Sequence, residues 1–331
     1  MKLKPKRLVE LTKLPPPPFL FQDFIRDRSV TQIAADPYTG KSMLMLYMAL
    51  CLDYQLPLFG KFAALRPHKV LYIGPDSPEW DYGGQTLKIM RGMGLTPAAR
   101  EMCGVDIHTH QDIDITNAEL LQSIEDYWQE EHFTVLFIDT LLDVHPYNPN
   151  DAQMMKLVMK TLKGLRDRYG CAVVFANHIP KFTGVERVNI QQHAGSFKIA
   201  GSSDFQLLLK KKAQRVYLGW GKQRGQMGEE PLKYFELIDV EVIEENIPTW
   251  GVRFDVPALD RNSVVLDTIL TGGYTTRHIA AAAIKAKLPG ADGKPLTDAQ
   301  SLKAADNALQ ALRSLGKIKK EDTGKWVLLK A

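Results

Sequence analysis

Cysteine is scarce in this chain: Cys51, Cys103 and Cys171 are the only three in 331 residues, far apart and without metal-ligand spacing. They offer no metal centre, and a reducing cytoplasm is the expected compartment. His108, His110, His132 and His145 show no ligand spacing either, so no metal is assigned to them. Long apolar runs are also missing. The longest, Met43 to Leu52, covers ten residues before Asp53, too few to span a bilayer, so no membrane partner is expected. The basic start Met1-Lys2-Leu3-Lys4-Pro5 is not followed by an apolar stretch of the secretory kind. With 45% apolar and 24% charged residues, the composition also excludes a disordered chain or a fibre.

A strong charge of one sign is lacking too. The 42 Lys and Arg against 38 Asp and Glu leave a net charge of +4. That small sum is unevenly distributed. Residues 261–331 carry 12 basic and 6 acidic side chains, so the tail is basic and the remaining body slightly acidic. Such a split suggests a catalytic body joined to a module that meets an anion, or else a merely solvated basic surface.

Residues 1–27 read as a short basic arm and the stiff spacer Pro15-Pro16-Pro17-Pro18. Over 28–256 short apolar runs alternate with helical stretches. Ser29–Ala34, Lys69–Ile73, Thr134–Ile138, Ala172–Ala176, Leu207–Leu209 and Val216–Leu218 are the predicted strands, with helices up to Asp53 and over Leu157–Tyr169. This is the α/β pattern of a mostly parallel sheet flanked by helices, with hairpins among the later strands making it mixed. Over 257–331 three helices (Ser263–Leu270, Thr275–Ala286, Ser301–Leu315) precede a terminal hairpin, a small winged-helix-like unit.

The segment Ala35-Asp36-Pro37-Tyr38-Thr39-Gly40-Lys41-Ser42-Met43 joins the first of these strands to an apolar helix. It fits the phosphate-loop pattern G-x-x-x-x-G-K-[ST], with Ala35 in place of the first glycine. The pattern suits ATP: backbone N–H groups cradle phosphates, Lys41 reaches the β and γ oxygens, and Ser42 ligates Mg²⁺. Three strand ends add polar groups. Asp139 follows Val135–Ile138 as the acid that holds the Mg²⁺ shell through water. Asp76 follows Val70–Ile73, where a base would orient the attacking water, with Glu79 as the alternative. Asn177 and His178 follow Ala172–Ala176. Ligands of open α/β sheets collect at such carboxyl ends.

Together these segments resemble the hexameric replicative helicases of the DnaB and RepA kind, in which alanine commonly replaces the first loop glycine. The resemblance covers about residues 28–240 and implies a RecA-like P-loop fold. It matches Asp76 and Pro78 to the catalytic glutamate segment, and Asp139 to the Walker-B acid. Asn177-His178-Ile179-Pro180-Lys181 corresponds to the polar sensor of the γ-phosphate, and Gly195-Ser196 with Asp204 to the last helicase motif. Lys222 and Arg224 match the pair that reaches into a neighbouring subunit's ATP site. The implied assembly is a homo-oligomer, a hexameric ring around single-stranded DNA. The chain departs from the family in carrying Asp76 where glutamate is usual.

Several alternatives stand. His178 is a sensor or a strand-end histidine bonded to backbone. Lys181, Arg187 and Lys198 contact DNA phosphates from a channel loop, or belong to a surface loop. In the tail, Ser301–Leu315 would be the recognition helix, with Lys303, Asn307 and Gln310 outward and Leu302, Ala305, Leu309 and Leu312 packed. Lys317, Lys319, Lys320 and Lys325 would lie on the wing around a core Trp326, binding duplex DNA or docking a protein. The function is then a compact helicase of plasmid or phage type, or a DNA-binding ATPase that loads, mediates or regulates without unwinding.

Overall fold

Runs such as Val70-Leu71-Tyr72-Ile73 and Val135-Leu136-Phe137-Ile138 combine branched and aromatic side chains that suit a pleat covered on both faces. Both are strands in the computed structural model, which describes residues 7–13, 15–110, 112–178, 197–212, 215–223, 234–256, 297–314, 318–320 and 326–328. The first elements are α1 (Leu8–Leu11), β1 (Phe19–Phe21), β2 (Ile25–Arg26), β3 (Val30–Ala35), α2 (Lys41–Asp53), β4 (Val70–Ile73) and α3 (Glu79–Gly92). Next come α4 (Pro97–Glu101), β5 (Val105–His108), α5 (Ala118–Glu131), β6 (Val135–Ile138), α6 (Ala152–Tyr169) and β7 (Ala172–His178). Then follow α7 (Phe197–Ser202), β8 (Phe205–Lys212), β9 (Arg215–Gln223), β10 (Tyr234–Glu244) and β11 (Ile247–Asp255). The last are α8 (Asp298–Ser314), β12 (Ile318–Lys320) and β13 (Trp326–Leu328).

Among the described residues, nine strands form one sheet in the order β11-β10-β9-β8-β3-β7-β6-β4-β5. The pairs from β8 across to β5 are parallel, and β10 runs antiparallel to β9. The sheet is therefore mostly parallel and flanked by helices, mixed at one side as the sequence suggested. β3, which leads into the phosphate loop, is central and buried at all six residues.

Local signals explain the helices that cover the sheet. Asp151 caps α6 by accepting from the N–H groups of Gln153 and Met154, and Gly170 ends it at φ 63°. Between them Met155, Val158, Met159, Leu162, Leu165 and Tyr169 recur at helical spacing and are buried against the sheet. Ten of the thirteen residues of α2 are buried, so this helix lies inside the fold. Helix α3 meets β11 at two glycines. A Cβ on Gly92 would stand 2.0 Å from the Val252 carbonyl oxygen, and one on Gly251 2.7 Å from the Gly92 nitrogen. Nearby, Arg91 and Arg100 both bind the Glu244 carboxylate, at 2.9 and 2.5 Å.

The chain forms two compact units. One comprises residues 1–181, 189–211 and 215–254, the other 182–188, 212–214 and 255–331. Residues assigned above to the arm and spacer enter the core of the first unit. Leu20, Phe21, Phe24 and Ile25 are fully buried or nearly so, and Phe24 stacks on Phe62 at 4.7 Å. Arg26 lies over the Phe19 ring and donates to the Pro17 carbonyl at 3.0 Å, which ties the proline run to the antiparallel pair β1–β2.

In the second unit, Thr297 and Gln300 cap α8 reciprocally through N–H donation to Gln300 Oε1 (3.0 Å) and to Thr297 Oγ1 (3.4 Å). The helix therefore begins three residues earlier than the sequence suggested. Ala305, Ala308, Leu309 and Leu312 pack with Ile318 and Trp326 of the antiparallel pair β12–β13. Leu302, expected in this core, is 39% exposed, and Ala308 packs there instead. Lys303, Asn307 and Gln310 are exposed. The expected helices at Ser263–Leu270 and Thr275–Ala286 lie outside the described residues.

Candidate active site

The loop between β3 and α2 is shaped by Gly40, the residue before the helix, whose φ of 91° falls in the left-handed region that glycine enters freely. Thr39 Oγ1 donates to the Asp36 carbonyl at 2.7 Å and closes the turn. Tyr38, at φ 61°, is 94% exposed. The thirteen-residue helix α2 then presents its first N–H groups, with the positive end of its dipole, towards the loop.

Lys41 is buried, and its ammonium donates to the carbonyls of Ala35 (3.2 Å) and Asp36 (3.1 Å) and to His178 Nδ1 (3.2 Å). The last contact follows from register, because Ala35 of β3 stands opposite His178 of β7. Burial lowers the lysine pKa, opposed by the charges of Asp139, Asp36 and Asp76. Burial and then the Lys41 charge lower that of His178, opposed by Asp76 and Asp143. The imidazole is thus held neutral and accepts at Nδ1, leaving its proton on Nε2.

Asp139 leaves β6 beside the end of β4: Ile138 pairs with Ile73, and the Asp139 N–H donates to the Ile73 carbonyl at 2.8 Å. Its carboxylate is fully buried. Tyr72 donates its hydroxyl to Oδ2 at 2.7 Å, while Oδ1 has no hydrogen-bond partner among the described residues. Burial raises the Asp139 pKa; the Tyr72 and Ser42 hydroxyls pull it back, and Asp76 pushes it further. The Asp139–Thr140 peptide is cis, and the Thr140 hydroxyl binds the Asp143 carboxylate. A buried carboxylate oxygen without a donor suits a metal-bound water, and Ser42, close by at the start of α2, supplies a hydroxyl. These residues fit Mg²⁺.

The two base candidates differ. Asp76 is exposed, three residues past β4, and its charge acts on Lys41, Asp139 and His178. Glu79, at the start of α3, accepts from Thr109 Oγ1 at 3.2 Å. Sequence reasoning missed Tyr72 and Tyr82. Tyr72 stacks on Phe137 and meets Tyr82 edge-on, and a Cβ on Gly74 would stand 2.5 Å from the Tyr82 hydroxyl. A hydroxyl within the apolar run Val70–Ile73 was the available signal. Both rings line a cavity of about 380 Å³ bounded by α2, α3 and β5.

Other candidates stand elsewhere. Lys222 donates to the carbonyls of Ala200 (3.2 Å), Gly201 (2.5 Å) and Ser203 (2.7 Å), around the end of α7. Asp204 is at the far end of β3, where its Oδ2 accepts from the Val30 N–H (3.0 Å) and from Arg166 (2.8 Å). Asn177 is buried at the end of β7. Lys181, Arg187, Arg224, Lys317 and Lys325 lie outside the described residues, as does the side chain of Lys198. Lys319 and Lys320 are exposed on β12, with Lys320 over the Trp326 ring, itself buried.

The family AAA_25, described as an AAA domain, matches residues 3–184. The chain belongs to this AAA domain family. The matched span holds the phosphate loop, Asp76, Asp139 and His178, so every group brought together above lies inside the AAA domain. Among solved structures the chain is similar to the ATPase domain of G40P. The identity is 14%, over 63% of this chain and 81% of that one, with a TM-score of 0.46. No curated protein matches.

Proposed function

We propose that this protein is an ATP-hydrolysing, DNA-dependent ring motor, a compact replicative helicase of plasmid or phage type. The observation that carries the reading is the meeting of Lys41, Asp139 and His178 at the carboxyl ends of three neighbouring parallel strands around a phosphate loop. In this reading the loop from Ala35 to Met43 holds the ATP phosphates, and Lys41 exchanges its resident partners, the His178 imidazole first, for phosphate oxygens. Ser42 and Asp139 hold Mg²⁺, which when bound neutralises charge on the β and γ oxygens. Asp76 orients the attacking water, and Lys222 and Arg224 complete the site from a neighbouring subunit of a hexamer. Single-stranded DNA runs past Lys181, Arg187 and Lys198. Residues 257–331 form a winged-helix-like domain that meets duplex DNA through Lys303, Lys317, Lys319 and Lys320. A cytoplasmic location accords with these roles.

Two observations favour a second reading, a DNA-binding ATPase that loads or regulates without unwinding. Asp76 is one methylene shorter than the family's glutamate, and a carboxylate set back by about 1 Å costs on the order of 10²-fold in rate. The Lys222 ammonium is engaged by carbonyls of its own chain.

The deciding experiment measures ATP turnover with and without single-stranded DNA, and strand displacement on a forked duplex, for the wild type and Lys41→Ala. DNA-stimulated turnover with displacement, both lost in the variant, is the expected result. Stimulated turnover without displacement supports the second reading. Absence of turnover in both conditions overturns both.

A further inference from the structure

The Asp139 carboxylate is fully buried, and its two oxygens are treated differently. The Tyr72 hydroxyl occupies Oδ2 at 2.7 Å, whereas Oδ1 has no partner among the described residues. Tyr72 is the neighbour of Phe137 across the β4–β6 pair, two residues before Asp139, so the hydroxyl comes from an adjacent strand. Its ring is held by stacking on Phe137 and by the edge of Tyr82. A bond from a buried, fixed hydroxyl to a carboxylate is charge-assisted and directional. Without it the carboxylate could turn about its last torsion and offer either oxygen. With it, one oxygen is taken and the other is presented.

From this geometry we infer that Tyr72 is the positioning residue of the metal site: it takes Oδ2 of Asp139 so that Oδ1 alone is offered to a water of Mg²⁺. The inference rests on Asp139 being the acid that holds the metal, but adds a residue from outside the loop and the acid. Tyr72 touches neither substrate nor metal and acts through Asp139. Because its ring is supported by Tyr82 of α3, the helix that follows Asp76, the orientation of the acid also depends on how α3 is seated.

The test compares the full chain with Tyr72→Phe, Asp139→Asn and the double variant. The dissociation constant of a fluorescent ADP analogue (mant-ADP) is measured in Mg²⁺ and in EDTA, together with the thermal midpoint. Tyr72→Phe should weaken binding in Mg²⁺ about tenfold and leave binding in EDTA unchanged, as expected for losing one hydrogen bond to a charged group. In the Asp139→Asn background the same change should have no further effect, because the coupling runs through that carboxylate. Should Tyr72→Phe unfold, Tyr72→His, which keeps a donor on a ring, is measured in its place: binding weakened in Mg²⁺ and unchanged in EDTA supports the inference. Failure of both to fold assigns Tyr72 a structural role and overturns it. Equal weakening in Mg²⁺ and EDTA, or an unchanged Mg²⁺ constant, overturns the inference while leaving the proposed ATPase intact. A wild type indifferent to Mg²⁺ removes the metal reading of Asp139 and the inference with it.

Discussion

Asp139 illustrates a site residue that is poorly placed for stability. A buried carboxylate with one oxygen lacking a donor is costly to hold in the fold. Asp139→Asn should therefore raise the thermal midpoint by a few degrees, about 1 kcal/mol on a chain of this size, while lowering ATP turnover at least ~10²-fold. A fall in the midpoint would show that the Tyr72 and Ser42 hydroxyls and the Lys41 charge together outweigh the cost of burying the carboxylate. His68 gives a pH signature. It is buried, its Nδ1 lies 3.0 Å from Thr134 Oγ1, and burial, with help from Arg66 and against Asp27, lowers its pKa to about 4. The unfolded histidine titrates near ~6.5. Between those values the unfolded chain binds the proton and the folded chain does not, so stability is full above the upper value and falls as pH drops towards the lower one. His68→Asn keeps a hydrogen-bonding partner for the threonine, able to donate or accept, and removes the titration. Its thermal midpoint should change less than that of the wild type between pH 7 and pH 5.

At the scale of elements, the α3–β11 contact turns on Gly92. In an exposed helix, replacing glycine by alanine stabilises by about 1 kcal/mol. Here the new methyl group would meet the Val252 carbonyl oxygen at 2.0 Å. Gly92→Ala should lower the thermal midpoint by roughly 4 °C or more, the opposite sign, as backbone has to move from backbone. The strands β4, β6 and β7 were legible because each contains a short apolar run, β3 because a stretch with β-branched Val30, Thr31 and Ile33 leads into the phosphate loop, and that loop because its spacing is fixed by chemistry. The hairpin β10–β11 was not. Its outer stretch alternates Asp239, Glu241 and Ile243 with Val240 and Val242, and its tight turn, Glu245-Asn246, takes positive φ without glycine. The partnership of Tyr72 with Asp139 was equally invisible, since it depends on β4 lying next to β6, which no local pattern specifies. The Lys41–His178 contact is set in the same way, by the register of β3 on β7.

For the whole molecule, the proposed ring makes activity a property of the assembly. Specific turnover should rise with protein concentration and reach a plateau as mass measurements reach the hexamer. Arg224→Ala should lower the plateau rate by about 10³-fold without changing the mass, the behaviour of an arginine acting in trans. A strict monomer with full turnover would reject the ring.

The contact between Lys41 and His178 has a consequence for the order of events. The ammonium already has two carbonyls and an imidazole around it, so an arriving phosphate trades places with resident partners and does not meet a bare charge. Binding is then an exchange, and the imidazole is the partner most readily surrendered, because it alone can turn to another donor. In the proposed ATPase, nucleotide arrival then registers first as a vacancy at His178, at the end of β7.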